Sequence, residues 1–288
     1  MQTRRGFSPK MFKVLLGILL AASCVFGQKK PSPPKSVRLY IFDCGTIAGL
    51  SMDLFDLKPE EIKGPQDVVT MCYLVVHPQG TLLWDAGQIP DAQFPPTGPA
   101  KDGVMTATKK LVPQLAEIGY KPEDITYFAM SHYHSDHTGN ANVFAGSTWI
   151  VQEADRTVMF SGKPPGITAP ATYTKLKDAK TILLKNEDKD VFGDGSVVIK
   201  TAPGHTPGHQ MLFLQLKETG PLLLAGDLYH YPEERTLDRV PTFDADREMT
   251  RRTRKDVEAF LKKTGAKLII QHDVPTHQTL NKSPKYYE

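Results

Sequence analysis

The segment Ser131-His132-Tyr133-His134-Ser135-Asp136-His137-Thr138-Gly139-Asn140 constrains this chain more than any other. The apolar run Ile125–Met130 precedes it and predicts a buried strand. His132 and His134 lie two residues apart, so an extended backbone sends both to one side. Asp136 and His137 follow where Thr138-Gly139-Asn140 lets the chain turn into a helix. Such a strand-to-helix turn aims four ligand-type side chains at one point, and imidazole and carboxylate are zinc ligands. A lone histidine is usually structural, but four ligand-type side chains in six positions read as a metal site.

Three other positions share the character of a polar residue at the end of an apolar run. Ala202-Pro203-Gly204-His205-Thr206-Pro207-Gly208-His209 is a turn between strand-like segments with His205 at its tip. Leu222–Ala225 runs through Gly226 into Asp227, and Leu268–Gln271 runs into His272. The remaining strand-like runs are Val37–Phe42, Val69–Val76, Thr81–Trp84, Trp149–Val151, Val197–Thr201 and Met211–Leu216. Helices are expected at Thr106–Ile118, Gly139–Phe144, Glu153–Phe160 and Asp246–Lys263, the first kinked or split at Pro113. Asp244 or Asp246 is the expected cap of the last helix, with Gly265 just past its end. Strands interspersed with helices predict an α/β (α+β) chain of mixed sheets covered by outer helices. Gln88–Gly103 is a Pro/Gly-rich loop, either a lid or a surface excursion.

The N-terminus reads as an address. Arg4, Arg5, Lys10 and Lys13 precede an apolar run from Val14 to Phe26, too short to span a bilayer. The expected division is a signal peptide over 1–27, a proline-containing linker over 28–36 and a single domain over 37–288. Export to the periplasm or the extracellular space follows, leaving a mature chain without a membrane span. The route stays open, because Thr3-Arg4-Arg5-Gly6-Phe7 resembles a twin-arginine signal and Ala21-Ala22-Ser23-Cys24 a lipoprotein box. Without the leader, 31 basic residues face 32 acidic ones, so nothing favours nucleic acid as a partner. The oligomeric state is open, a homodimer included.

The order H-x-H-x-D-H, then His205, Asp227 and His272, resembles the metallo-β-lactamase superfamily. Within it the chain is most similar to the N-acyl-homoserine lactonases, supported by Phe42-Asp43-Cys44-Gly45-Thr46, Pro203–Gln210, and His272-Asp273 before a tail ending Tyr286-Tyr287. The resemblance implies an αββα sandwich, two mixed β-sheets flanked by helices, with two Zn2+ at one edge, other divalent metals remaining open. It implies that His132, His134 and His205 bind the first ion, Asp136, His137 and His272 the second, and that Asp227 bridges them. The implied reaction is opening of the lactone ring of a small-molecule substrate by a metal-bridging hydroxide, with Asp136 passing the proton to the leaving alkoxide.

The family's tyrosine three residues after the bridging aspartate is replaced here by His230, with Tyr229 one place earlier. Either is the candidate donor to the developing oxyanion. The alternative activities are those of other hydrolases on the same metal core, acting on β-lactams, thioesters or phosphotriesters. A non-catalytic scaffold would be expected to lose ligands, and a di-iron relative to carry a carboxylate where His134 stands.

Met52, Leu54, Phe55, Phe94, Met105 and Met159–Phe160 are candidates for an acyl-chain slot or for ordinary core. His209 reads as a support and His77 as plain surface. Cys44 and Cys72 form either one disulfide or two buried thiols.

Overall fold

The computed structural model describes residues 1–2 and 30–288, so the expected leader and its cleavage point lie outside the described residues. Among the described residues no helix is long and apolar enough to cross a membrane.

One sheet has nine strands. They are β1 (Arg38–Ile47), β2 (Val68–His77), β3 (Gly80–Trp84), β4 (Ala100–Asp102), β5 (Met105–Ala107), β6 (Tyr127–Ala129), β7 (Thr148–Gln152), β8 (Thr181–Leu184) and the C-terminal β14 (Tyr286–Tyr287). The path is β4-β5-β1-β2-β3-β6-β7-β8, with β14 paired to β1. The first strands pair antiparallel, whereas β3, β6, β7 and β8 run parallel. The second sheet holds β9 (Lys189–Asp190), β10 (Val197–Thr201), β11 (Gln210–Leu216), β12 (Gly220–Leu224) and β13 (Lys267–Ile269). Its order is β13-β12-β11-β10-β9, and only β12 and β13 pair parallel.

The sheets face each other. Leu39, Ile41, Tyr73, Val75, Leu82 and Trp84 pack against Ile199, Leu212, Leu214, Leu224 and Ile269. The outer face of the first sheet, with Phe42, Leu74, Phe128 and Trp149, packs on α1 (Leu111–Glu117) and α3 (Glu153–Met159), with the short α2 (Ser135–Thr138) between them in the chain. After β12 comes another short helix, α4 (Pro232–Thr236). The outer face of the second sheet, with Met211 and Leu223, packs on Val257 and Leu261 of α5 (Arg247–Thr264). Helix, sheet, sheet and helix layers result, and β2, covered on both faces, is buried at all ten positions.

Several expectations need correction. The segment 106–118 is not one helix: Met105–Ala107 is β5, and α1 starts only at Leu111. The reason is local, since Asp91 accepts from Leu111 N and Val112 N at 2.8 Å each. Pro113 sits in the first turn of α1, where a missing N–H does no harm. The expected helix 139–144 is instead α2 followed by a 3-10 turn (Ala141–Phe144). The strand expected over 125–130 pairs only over Tyr127–Ala129. Strand β8 has no counterpart among the expected runs. The loop 88–103 contains a 3-10 turn (Asp91–Gln93) and the whole of β4, so it is anchored, not free. His77 is buried, its Nε2 2.8 Å from Asp194 and its ring stacked on Phe192. Cys44 and Cys72 are joined in a disulfide that links β1 to β2. Asp246 caps α5 by accepting from Met249 N at 2.9 Å, and Gly265 ends it in the left-handed region.

Candidate metal centre

The polar residues at the strand ends converge on one edge of the sandwich. His134 stands at the N-cap of α2, which lifts Asp136 and His137 beside His132. Asp227 follows β12 after Gly226, and His272 follows β13. Gly226 has φ +52°, and a Cβ there would lie 2.6 Å from His209 Nε2 and 2.8 Å from Ser131 Cβ, so only glycine brings Asp227 in this close.

Two groups of ligand atoms form. His132, His134, His205 and Asp227 make one, and Asp136, His137, Asp227 and His272 the other, with all ligand atoms of a group within 4.8 Å of one another. His205 Nε2 lies 3.0 Å from His134 Nδ1 and 3.2 Å from His132 Nε2. Asp227 Oδ2 is 3.1 Å from His272 Nε2, and its Oδ1 is 3.3 Å from His137 Nε2. Asp136 Oδ2 is 3.4 Å from His137 Nε2 and 3.5 Å from His272 Nε2.

A surrounding set of acceptors fixes the rings. Asp244 Oδ1 accepts from His205 Nδ1 at 2.8 Å, and the Val69 carbonyl accepts from His272 Nδ1 at 2.7 Å. Both partners can only accept, so each ring turns an Nε2 lone pair inward. Asp85, buried at φ +59°, accepts from Ser131 N at 2.7 Å and lies 3.1 Å from His137 Nδ1. Ser131 Oγ stands 3.0 Å from both His132 Nδ1 and His137 Nδ1. His209 ties its Nδ1 to the Ala202 carbonyl and accepts from Asp227 N at 3.0 Å, so it supports the site without joining either group.

This donor set fits divalent cations. His137 Nε2 and Asp227 Oδ1 are buried without a hydrogen-bond partner. Imidazole nitrogens face one another at hydrogen-bond distance around carboxylates, an arrangement that a cation satisfies. Burial, reinforced by neighbouring imidazoles, pushes His132 and His134 well below their usual pKa. Burial opposes ionisation of Asp136 and Asp227, yet the adjacent imidazoles bring both carboxyl groups down. Neutral imidazole and ionised carboxylate are the forms that bind metal.

Residues 65–272 match the model of the metallo-beta-lactamase superfamily. The chain belongs to this superfamily. An N-acyl homoserine lactonase AttM of Azorhizobium caulinodans is 28% identical over 267 residues, which cover 88% of this chain and 99% of that protein. The fold matches an N-acyl homoserine lactone hydrolase solved with N-hexanoyl-L-homoserine at its catalytic metal center, at TM-score 0.71 and 24% identity, covering 87% and 99% of the two chains. It also matches AidC, a dizinc quorum-quenching lactonase, at TM-score 0.62 and 19% identity, covering 91% and 98%.

In this member of the superfamily a cavity of about 340 Å³ opens above the two groups. Asp136, Asp227, His230 and His272 line its floor; Ile47, Leu50, Leu54, Phe55, Val104, Met105, Ile167 and Phe243 are among its walls. Leu54, Phe55 and Met105 therefore line this cavity, but the other candidates do not. Met52 packs in the core beneath Phe55, Phe94 against Ile89 and Ala100, and Met159 and Phe160 around Trp149. His230 faces the floor, its Nε2 3.3 Å from Asp227 Oδ2. Burial alone would depress its pKa, but Glu234 and Asp227 raise it to about 10. Tyr229 does not reach the cavity, a correction to its candidacy. Its hydroxyl donates to Glu258 at 3.2 Å and its ring lies under Arg254. Extended backbone at Tyr229 sends it and His230 to opposite sides.

The sequence reading missed Asp85, Asp244, Glu234 and most of the wall. Asp85 carried a usable signal, because it ends the apolar run Thr81–Trp84 as Asp227 ends its own. Leu50, Val104, Ile167 and Phe243 stand in loops with no local pattern, and Asp244 carried only the signal of a possible helix cap.

Proposed function

We propose that this metal-dependent hydrolase opens the lactone ring of N-acyl homoserine lactones. The observation that carries the reading is an apolar cavity whose floor is the double His/Asp group, within a chain similar to named lactonases along most of its length. His132, His134 and His205 would hold one zinc ion, Asp136, His137 and His272 a second, with Asp227 shared. Bound there, two such ions supply Lewis acidity and an acidified water near neutral pH. Asp136 keeps a carboxylate that is 14% exposed to the cavity, placed to take a proton and pass it to the leaving alkoxide. His230 Nε2 is placed to hydrogen-bond the developing oxyanion. The apolar walls take the acyl chain and exclude water.

No lysine or arginine lines the cavity among the described residues, so it suits neutral substrates. That favours neutral phosphotriesters as the second substrate class over β-lactams, which carry a carboxylate. Export belongs to the same proposal, resting on the basic and apolar leader; N-terminal sequencing of exported protein that begins at Met1 would reject cleavage. The deciding experiment is proton release from an acyl-homoserine lactone in weak buffer, with zinc-loaded protein and Asp136→Asn as control. Release by the unaltered protein alone is expected. Absence of release with two zinc ions bound would reject the lactonase reading.

A further inference from the structure

We propose that Glu234 is the positioning residue of His230, holding its Nδ1–H so that Nε2 is the atom presented to the cavity. The inference deepens the lactonase reading and rests on His230 facing the substrate there.

His230 is 4% exposed, and Glu234, on α4, is fully buried. Nδ1 and Oε1 lie 3.2 Å apart as an ion-pair contact, and neither atom has a well-aligned hydrogen-bond partner among the described residues. An ionised carboxylate only accepts, so the proton between them belongs to Nδ1. The second carboxylate oxygen, Oε2, accepts from Arg254 Nη2 at 2.8 Å. Arg254 is itself held, donating Nε to the Leu228 carbonyl at 2.9 Å and Nη1 to the Arg239 carbonyl. Its guanidinium lies 4.3 Å over the Tyr229 ring. Glu234 therefore has no free rotation: one oxygen is clamped and the other faces His230.

The ring is wedged from its other sides. It lies parallel to His272 at 5.4 Å, and Phe55 and Phe243 pack against it at 5.0 and 5.5 Å. Only Nε2 is left to point at the floor. A buried ion pair gains little stability over an apolar pair of equal volume. What Glu234 and Arg254 supply is a fixed acceptor behind an imidazole. The logic is that of a carboxylate–histidine pair in hydrolytic triads, in which the acid fixes tautomer and orientation. The imidazole is thereby kept in place with Nε2 toward the cavity.

The test is E234Q. Arg254 would claim the amide oxygen, leaving the amide NH2 against Nδ1. That nitrogen must then present its lone pair, and the ring keeps only the proton on Nε2, which faces Asp227 Oδ2 at 3.3 Å. Two-bond 1H–15N spectra of the histidine rings in zinc-loaded protein read this directly, with H230Q identifying the His230 signals. The expected result is a protonated Nδ1 in the unaltered protein and an unprotonated one in E234Q. With it, kcat falls about 10- to 100-fold, KM stays within about twofold and zinc content is unchanged. An unprotonated Nδ1 in the unaltered protein overturns the inference, and that spectrum decides even if E234Q does not fold. Identical ring signals in both proteins, or zinc lost in step with activity, also overturn it. The expected spectra without any lactone turnover would reject the lactonase reading and leave the role of Glu234 standing.

Discussion

The floor and the wall of the cavity are built on opposite principles. The floor is made of residues at strand ends and on α2, and buried hydrogen bonds tie His205 to Asp244 and His272 to the Val69 carbonyl. The wall is made of side chains on loops, 3-10 turns and strand ends, and three of them, Leu54, Val104 and Ile167, stay 40%, 51% and 43% exposed. Chemistry that needs fixed geometry sits on the rigid elements, and contacts that choose among substrates sit on the softer ones. Changes in the floor should therefore abolish turnover, and changes in the wall should redistribute it.

The largest effect is expected at the floor. Asp136→Asn keeps the volume but cannot accept and pass the proton, so kcat should fall about 1000-fold. The measurement is steady-state lactone opening at full zinc content. Retained turnover would remove Asp136 from the mechanism and weaken the case for a chemical floor.

The second prediction concerns how the loop bearing His205 is held. Asp155, on α3, accepts from Thr206 Oγ1 at 2.8 Å and Gly208 N at 2.6 Å. Burial is the dominant cause that raises its pKa to about 7. The folded state thus keeps a proton that the unfolded chain releases near pH 4, so this group's contribution to stability is full below about pH 4 and is lost as pH rises to about 7. Asp155→Asn mimics the protonated form and removes that slope. Between about pH 5 and about pH 7 the unaltered protein should lose about 2 kcal/mol relative to the variant, read from urea unfolding of both. Parallel curves would show that Asp155 is ionised throughout.

These two regions also differ in how far they were legible. His132, His134, Asp136 and His137 stand in one short string, and His205, Asp227 and His272 each end or interrupt an apolar run. Such residues stand out in the chain itself, because a polar group at the end of a buried strand breaks the apolar pattern. Alternation along an extended backbone also shows that Tyr229 and His230 cannot both face the floor, but not which one does; that depends on the turn Gly226–Leu228. The outer helix α5 was readable because its cap and its terminal glycine are local signals. The split between β5 and α1 was not, because Asp91 caps the helix from twenty residues away. The wall was least legible: Leu50, Val104, Ile167 and Phe243 meet only through the tertiary fold.

A smaller effect is expected one step behind the floor. Asp85→Asn removes an acceptor shared by Ser131 and His137, so metal affinity at the group containing His137 should drop about 10- to 100-fold. Competition with a graded chelator measures it. Equal loss from both groups would mean that Ser131, which touches His132 as well, transmits the change.

The smallest effect should come from the wall. Ile167 is tied to α2 through its backbone, whose carbonyl accepts from Ser135 N at 3.0 Å. Ile167→Ala keeps that bond and deletes half-exposed apolar surface. The loss of contact amounts to about 1 kcal/mol, or about fivefold in KM, for a long acyl chain and much less for a short one. Because α2 stays anchored, kcat should be unchanged for both. Kinetics with short- and long-chain lactones separate the two outcomes. If kcat falls for both chains, the wall holds the floor in place and the two regions are not independent. If only KM moves, and only for the long chain, the wall reads the substrate while the floor does the chemistry.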